Sequence, residues 1–259
     1  MKIGKSMLSK MNLINEVGAH VNTIDQLYTS SIINRRGKTA DGEFSTEVIA
    51  EELLRLDIKN RLKEINVVVR EKGYRVATHN GVVTTGHKEE DSNRKEERVA
   101  IQLFNLSQSG TIFDHIGRII DYQVPLKNIR ADKGLGKIDL VSLVDDCIVL
   151  IEFKIKENRE TLLRCVLEIA TYYQVLSKPK LLESYSNDFG SPKRIKKAVL
   201  IVLDSLQYKE MLELRNGERR YLEKLMDALE VQVFCMDPVS FEVQTVFIHE
   251  GLCNPKSEG

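Results

Sequence analysis

Residues 136–154 read GKIDLVSLVDDCIVLIEFK and contain two apolar runs that are separated by one turn-prone pair. Val, Ile and Leu dominate residues 138–144 and 147–155, and these residue types are favoured in β-strands. The Asp145-Asp146 pair between the runs has the length of a two-residue hairpin loop. The stretch therefore predicts a β-hairpin.

The predicted hairpin places three charged residues on one face of the sheet. A two-residue loop pairs Val144 with Cys147, and the same register places Asp139 directly opposite Glu152. Side chains that face each other across antiparallel strands lie about 5 Å apart, and like charges there are destabilising. Side chains alternate along a strand, so Lys154 lies on the same face as Glu152.

A divalent cation would offset the repulsion between Asp139 and Glu152, because carboxylates are preferred ligands of hard ions such as Mg²⁺. Lys154 would then hold a metal-bound water or help to deprotonate it. The alternative is that Glu152 and Lys154 form a solvated strand edge and that Asp139 is a turn acid. The apolar run around Glu152 favours a buried site, because buried charges are rarely left unpaired.

These residues resemble the signature of the PD-(D/E)xK nuclease superfamily, in which an acid on one strand is followed by acid-x-Lys on the next. Here Asp139 is separated by twelve residues from Glu152-Phe153-Lys154, and Ile138 stands where a proline often precedes the first acid. The resemblance covers about residues 93–240.

The resemblance implies an α/β fold: a restriction-endonuclease-like αβββαβ core, with a mixed sheet flanked by helices, over residues 93–250. It also implies Mg²⁺ or Mn²⁺ held by Asp139, Glu152 and the backbone carbonyl of Phe153. The metal would activate water and stabilise charge on the scissile phosphate, while Lys154 positions the nucleophile.

In this superfamily a glutamate on the helix before the sheet often joins the metal site. A helix beginning near Arg94 would place Glu97, Ile101 and Phe104 on one stripe, so Glu97 is the predicted additional catalytic acid. Glu96 replaces it if the helical phase differs by one residue. The alternative is an ordinary first-turn acid that is favoured by the helix dipole.

The helix after the hairpin is predicted to begin at Asn158 as its N-cap and to line the site with Arg164, Glu168 and Tyr172, spaced four apart. Some exonuclease-like members of the superfamily have a Gln-x-x-x-Tyr pair here, and Glu168 stands where Gln would be. The alternative is an i,i+4 Arg–Glu pair with an aromatic neighbour.

Nucleic acid is the predicted partner, DNA more than RNA, through local basic patches. Lys+Arg and Asp+Glu balance at 38 each, so the chain has no global basic field. The candidate contacts are in the loop before the hairpin and at the entry to a buried strand at 198–204: Lys127, Arg130, Lys133, Lys137, Lys193 and Arg194. Solvated surface segments are the alternative for both patches.

Residues 1–92 are interpreted as a separate or appended, mainly helical region with one hairpin at Asn80-Gly81. A helical stripe from Ser45 to Ile65 has the quality of a partner-binding surface and suggests a homodimer. His79 and His87 are interpreted as exposed rather than metal-binding. Residues 251–259 form a predicted flexible tail.

The remaining patterns predict a first core strand that ends near Pro125, a helix at 218–229 and a strand at 231–236. The four cysteines are scattered without a C-x-x-C pair, and no apolar run reaches membrane-spanning length. Three of them lie in apolar runs and are predicted core residues. We therefore expect a cytoplasmic protein without a membrane anchor.

The sequence predicts a metal-dependent nuclease. The first alternative is a nucleic-acid- or protein-binding module that keeps the nuclease fold without turnover, which the neutral net charge and the absence of an aromatic binding stripe leave open. A small-molecule enzyme ranks last, because no cofactor motif is found.

Overall fold

The computed structural model describes residues 8–77, 79, 95–127, 136–189 and 194–247. These residues form a six-stranded mixed sheet whose strands lie side by side in chain order. The strands are β1 Arg118–Pro125, β2 Lys137–Val144, β3 Cys147–Lys154, β4 Arg194–Val202, β5 Val231–Met236 and β6 Val243–Phe247. The helices are α1 Lys10–His20, α2 Ser45–Arg55, α3 Ile58–Lys63, α4 Lys95–Gln108, α5 Leu162–Val175, α6 Lys178–Ser184, α7 Ser186–Phe189, α8 Leu206–Arg215 and α9 Arg220–Ala228, with a 3-10 helix at Ile24–Thr29.

The predicted hairpin is confirmed, with Val144 paired to Cys147 and Leu140 paired to Ile151. Asp145 turns the chain with φ 52°, a conformation that Asp tolerates better than most residues. β1 and β2 are antiparallel, whereas β3, β4 and β5 run parallel to one another. Every residue of β3 is buried, as expected for a strand that is covered on both faces.

Two apolar clusters cover the two faces of the sheet. One contains residues of α5 and of the N-terminal helices packed on Leu150, Val199 and Val233. The other contains residues of α4, such as Phe104, packed on Phe153 and neighbouring strands. Side chains of β3 therefore alternate between the two clusters, and Phe153 faces α4 while Glu152 and Lys154 face α5.

The described N-terminal residues share this core and do not form a second one. Leu53 and Leu62 are buried in the same cluster as Leu150 of β3. The stripe predicted as one helix is broken at Asp57, which takes φ 54° between α2 and α3. The apolar surface on which the homodimer was predicted is therefore largely buried within the chain itself.

Other sequence predictions differ from the structure by a few residues. α5 is capped by the Thr161 side chain, which accepts a hydrogen bond from the Arg164 amide, so the prediction of Asn158 as the cap is wrong. The first core strand ends at Pro125 and β5 spans residues 231–236, as predicted. β4 begins at Arg194, four residues before the predicted start.

Several sequence predictions lie outside the described residues: the hairpin at 80–81, His87, the boundary at residue 92, Arg130, Lys133, Lys193 and the tail 251–259. Cys147, Cys165 and Cys235 are buried with free thiols, as predicted for core residues. His79 is mostly buried, with 11 % of its side chain exposed, and its Nδ1 lies 2.5 Å from Asp121 Oδ1, so its assignment as an exposed residue is wrong. None of the helices in the described segments has the length and apolar character needed to cross a membrane.

Candidate active site

Asp139 and Glu152 meet across β2 and β3, as the register predicts. The two oxygens of Asp139 accept hydrogen bonds from Gln123 Nε2 at 2.9 Å and from the Phe153 amide at 3.0 Å. Burial raises the pKa of Asp139, and burial followed by the charge of Asp139 raises the pKa of Glu152 well above its usual range. The charge of Lys154 and hydrogen bonds to Asp139, among them one with Glu152, oppose the effect of burial on the pKa of Asp139.

Lys154 lies among three carboxylates and is only 5 % exposed. Its Nζ is 2.6 Å from Glu152 Oε1, 3.0 Å from Glu160 Oε2 and 4.0 Å from Glu96 Oε2. Burial alone would lower the pKa of Lys154, but the charges of Glu152 and Asp139 outweigh burial and raise it well above its usual range. Lys154 is therefore an ammonium at neutral pH, suited to holding water or phosphate rather than to removing a proton.

The α4 residue that reaches this cluster is Glu96, the replacement that the sequence offered for Glu97. Glu96 Oε1 accepts a hydrogen bond from Asn158 Nδ2 at 2.8 Å, and burial raises the pKa of Glu96. Glu97 instead lies near Tyr122, whose pKa is raised by burial and then by Glu97. The helical phase of the prediction is thus one residue in error.

α5 contributes the predicted lining residues Arg164, Glu168 and Tyr172. The segment just before α5 contributes Glu160, which the sequence did not suggest. Glu160, just before α5, bridges Lys154 and Arg164, with Glu160 Oε1 2.8 Å from Arg164 Nε. Tyr172 donates a hydrogen bond to Glu168 Oε1 at 2.7 Å, and burial raises the pKa of Glu168. Arg164 therefore pairs with Glu160. The i,i+4 alternative had instead paired Arg164 with Glu168.

Gln207 and Asn158 hold the loop that carries Glu160. Gln207 Nε2 donates to the Glu160 carbonyl at 2.7 Å and to Asn158 Oδ1 at 3.2 Å, and Asn158 Oδ1 also accepts from the Glu160 amide at 2.8 Å. Sequence reasoning missed Glu160 and Gln207 because neither stands in a periodic pattern. The spacing of Glu160 four residues before Arg164 is the one signal that would have found it.

Negative charge is in excess in this cluster. Among the described residues, five carboxyl groups face two cations, so full ionisation of these groups leaves an excess of three negative charges. The acids are Glu96, Asp139, Glu152, Glu160 and Glu168, and the cations are Lys154 and Arg164. Removing charges from water without balancing them is costly, which explains why burial raises four of the five acid pKa values.

No known protein family, characterised protein or solved structure matches this chain.

The donor set fits a hard divalent cation with an incomplete protein shell. Among the described residues, no three His, Cys, Asp or Glu side chains are arranged so that they hold a metal ion by themselves. Mg²⁺, however, is usually held by one or two carboxylates together with waters and substrate phosphate. Glu152 Oε2 is buried without a hydrogen-bond donor in the described segments and lies beside Asp139.

The backbone at Phe153 also faces this position. Its amide donates to Asp139 on β2, and the N–H and C=O of one strand residue point toward the same neighbouring strand. The Phe153 carbonyl, which the family resemblance names as a ligand, therefore faces β2 as well.

The described residues of the two predicted basic patches lie at opposite ends of the sheet. Lys127 follows β1 and Lys137 begins β2, and both are exposed. Arg194 pairs with Cys147 at the other end of β3, about 23 Å along the strand from Lys154, and its guanidinium lies 2.7 Å from Asp146. The structure does not bring Arg194 to the site.

Gly136 lies directly against Tyr172 and connects the basic loop to the site. A Cβ at Gly136 would lie 2.0 Å from the Tyr172 hydroxyl oxygen and 2.9 Å from Cζ. Only a residue without a side chain permits this approach.

We expect Gly136→Ala to destabilise the protein by about 1–3 kcal/mol and to lower any activity of the site, because Tyr172 and its bond to Glu168 must move. Urea denaturation measures the first effect. Tyr172→Phe in the same chain should recover part of the loss, since it removes the nearer atom. Gly18→Ala is the control, because Gly18 lies in α1 with open space around it and without a positive φ. A fully stable Gly136→Ala variant would contradict this contact.

Proposed function

We propose that this protein is a metal-dependent nuclease that hydrolyses phosphodiester bonds, with DNA the preferred substrate from the family resemblance. The observation that carries the proposal is the buried Asp139–Glu152 pair with the Lys154 ammonium 2.6 Å from Glu152. Acids that share a buried position destabilise a fold, so their presence is explained best by a cation that binds there.

Asp139, Glu152 and the Phe153 carbonyl would hold Mg²⁺ or Mn²⁺, which when bound lowers the pKa of a coordinated water and stabilises charge on the phosphate. Gln123 and the Phe153 amide fix the Asp139 carboxylate. Glu160 fixes the Lys154 ammonium, so that it is held ready to position the nucleophile or a phosphate oxygen. Arg164 pairs with Glu160 and adds a second, partly exposed positive group beside Lys154.

One observation favours a binding module without turnover as a second candidate. Lys154 already compensates Glu152, and the described acids do not form a closed metal cage. In that case the cluster would be a structural charge network, and phosphate contacts would come from Lys127, Lys137 and Arg164.

Cleavage assays with and without metal separate the two candidates. Single-stranded DNA, linear duplex, closed circular duplex and RNA are incubated with Mg²⁺, Mn²⁺ or EDTA. The nuclease proposal expects cleavage of at least one DNA form that EDTA abolishes. Metal binding, measured by calorimetry, should be lost in Asp139→Asn. DNA binding without cleavage under any metal, together with no metal binding by the folded protein, would favour the module.

Glu96→Gln and Glu97→Gln form a matched pair of neighbouring substitutions on α4. Only Glu96 contacts Asn158 and approaches Lys154, so Glu96→Gln should reduce cleavage more than Glu97→Gln. If Glu97→Gln reduces cleavage more than Glu96→Gln does, Glu97 is the acid that acts in the site, as predicted from the sequence.

A further inference from the structure

A second charged cavity lies beside α5, away from the acidic cluster. It has a volume of about 250 Å³ and is lined by residues of α3, α5, β4 and the α6 and α9 ends. Its charged and aromatic lining residues are Lys59, Lys63, Tyr173, Lys178, Lys197 and Glu230. Tyr172 and Tyr173 are consecutive on α5, and Tyr172 faces the acidic cluster while Tyr173 lines this cavity.

Lys197 is the buried one among the four lysines that line the cavity. It is 7 % exposed, and the nearest carboxylate oxygen, Glu230 Oε2, is 4.0 Å away. Its ammonium lies 4.1 Å from the centre of the Tyr173 ring, and the Lys178 ammonium lies 4.3 Å from the same centre. Among the described residues, the contacts of Lys197 Nζ are this long ion pair and the face of the Tyr173 ring. A partly desolvated ammonium with these contacts gains from an acceptor at hydrogen-bond distance.

The charge of the cavity is strongly positive. Four lysines line it, and among the described lining residues Glu230 is the one acid. Glu230 is already engaged, because its Oε1 accepts a hydrogen bond from Lys59 at 3.2 Å. Burial lowers the pKa of Lys197 to about 8, and the charges of Lys178 and Lys59 lower it while Glu230 opposes them. Burial also lowers the pKa of Lys178.

We infer that this cavity is a binding site for a phosphate dianion, with Lys197 as its central donor and Lys59, Lys63 and Lys178 around it. Two negative charges and several acceptor oxygens match the surplus of cations, and lysine is a common phosphate ligand. The volume admits a phosphate group with a small substituent. The same chemistry is offered by free phosphate and by the terminal phosphate of a nucleic-acid strand.

Calorimetric titration of the full chain with inorganic phosphate tests the site, and short oligonucleotides that carry a 5′-phosphate or a 5′-hydroxyl distinguish the two sources. Wild type should bind inorganic phosphate, or should prefer the phosphorylated strand over the hydroxyl strand. Lys197→Met should weaken that binding at least about tenfold, the loss of one charge-assisted hydrogen bond. Lys209→Met, an exposed lysine of α8, is the control and should bind as wild type does.

The pH dependence gives a second readout that does not depend on cleavage. Affinity for phosphate should fall between pH 7 and pH 9, because Lys197 loses its proton near pH 8. The titratable groups that line the cavity with it are Lys59, Lys63, Lys178, Tyr173 and Glu230. Lys197→Met removes a buried charge whose ion pair with Glu230 is long, at 4.0 Å, and should remain folded. Lys178→Met is a second, half-buried variant that should weaken binding less. The inference is overturned if wild type binds neither phosphate form, or if Lys197→Met binds as tightly as wild type does.

Discussion

Glu152→Gln should lower metal-dependent cleavage by at least about 10³-fold and at the same time stabilise the apoprotein at neutral pH. The substitution keeps the shape of the side chain but removes the charge that would hold the cation. Initial rates on the best DNA substrate measure the first effect. Thermal unfolding in EDTA measures the second.

The stability effect follows from the raised pKa of Glu152. A buried carboxyl with a raised pKa binds its proton more tightly in the folded than in the unfolded state, so stability is full below the usual value of 4.5 and falls as the pH rises through the raised value. The apoprotein should therefore lose stability as the pH rises above 4.5, through the raised pKa of Glu152. Glu152→Gln should reduce this slope, and Mg²⁺ should raise the Tm of wild type more at pH 8 than at pH 5.

Glu218→Gln is the matched control, because Glu218 is exposed on the turn after α8. It should change neither the rate nor the pH slope. If Glu152→Gln cleaves DNA as wild type does, the acid pair has no part in hydrolysis. If it loses activity but also loses stability at neutral pH, Glu152 acts through its ion pair with Lys154 and not as a surplus charge.

The hairpin could be predicted because its signals are local. Apolar runs of strand length, a two-residue break and strict alternation determine the register, and the register brings Asp139 to Glu152. The element order α4, β1, β2, β3, α5 and β4 agrees with the αβββαβ order that the family resemblance implies, with the short helices α6 and α7 inserted before β4.

The errors arise where position depends on contacts between distant segments. Glu96 and Glu97 differ by about 100° around α4, and two adjacent acids satisfy the same pattern. Asn158 has the residue type of an N-cap, but Thr161 satisfies the first turn and Asn158 is drawn to Glu96 and Gln207 instead. The apolar face of an amphipathic helix indicates that the helix packs against a partner. It does not indicate whether the partner belongs to the same chain or to another one, and for this reason α2 suggested a dimer.

Lys154→Met should lower cleavage by about 10²–10³-fold and destabilise the fold by about 3–5 kcal/mol at neutral pH. The stability loss is expected because Lys154 is the cation that Glu152 and Glu160 share. Its loss leaves the charge of Glu152 buried and unpaired, whereas Glu160 keeps its pair with Arg164. Urea denaturation at several pH values measures the stability, and the loss should shrink at low pH as the acids take up protons.

The double variant Glu152→Gln/Lys154→Met tests the structural role of Lys154. Removing both members of the pair leaves no uncompensated charge at Glu152, so much of the lost stability should return while cleavage stays absent. Lys156→Met is the matched control, since Lys156 is exposed and pairs only at 3.5 Å with the exposed Asp204. A double variant as unstable as Lys154→Met would show that the lost stability does not come from an unpaired charge at Glu152. Recovered cleavage in the double variant would contradict the proposed roles of both residues.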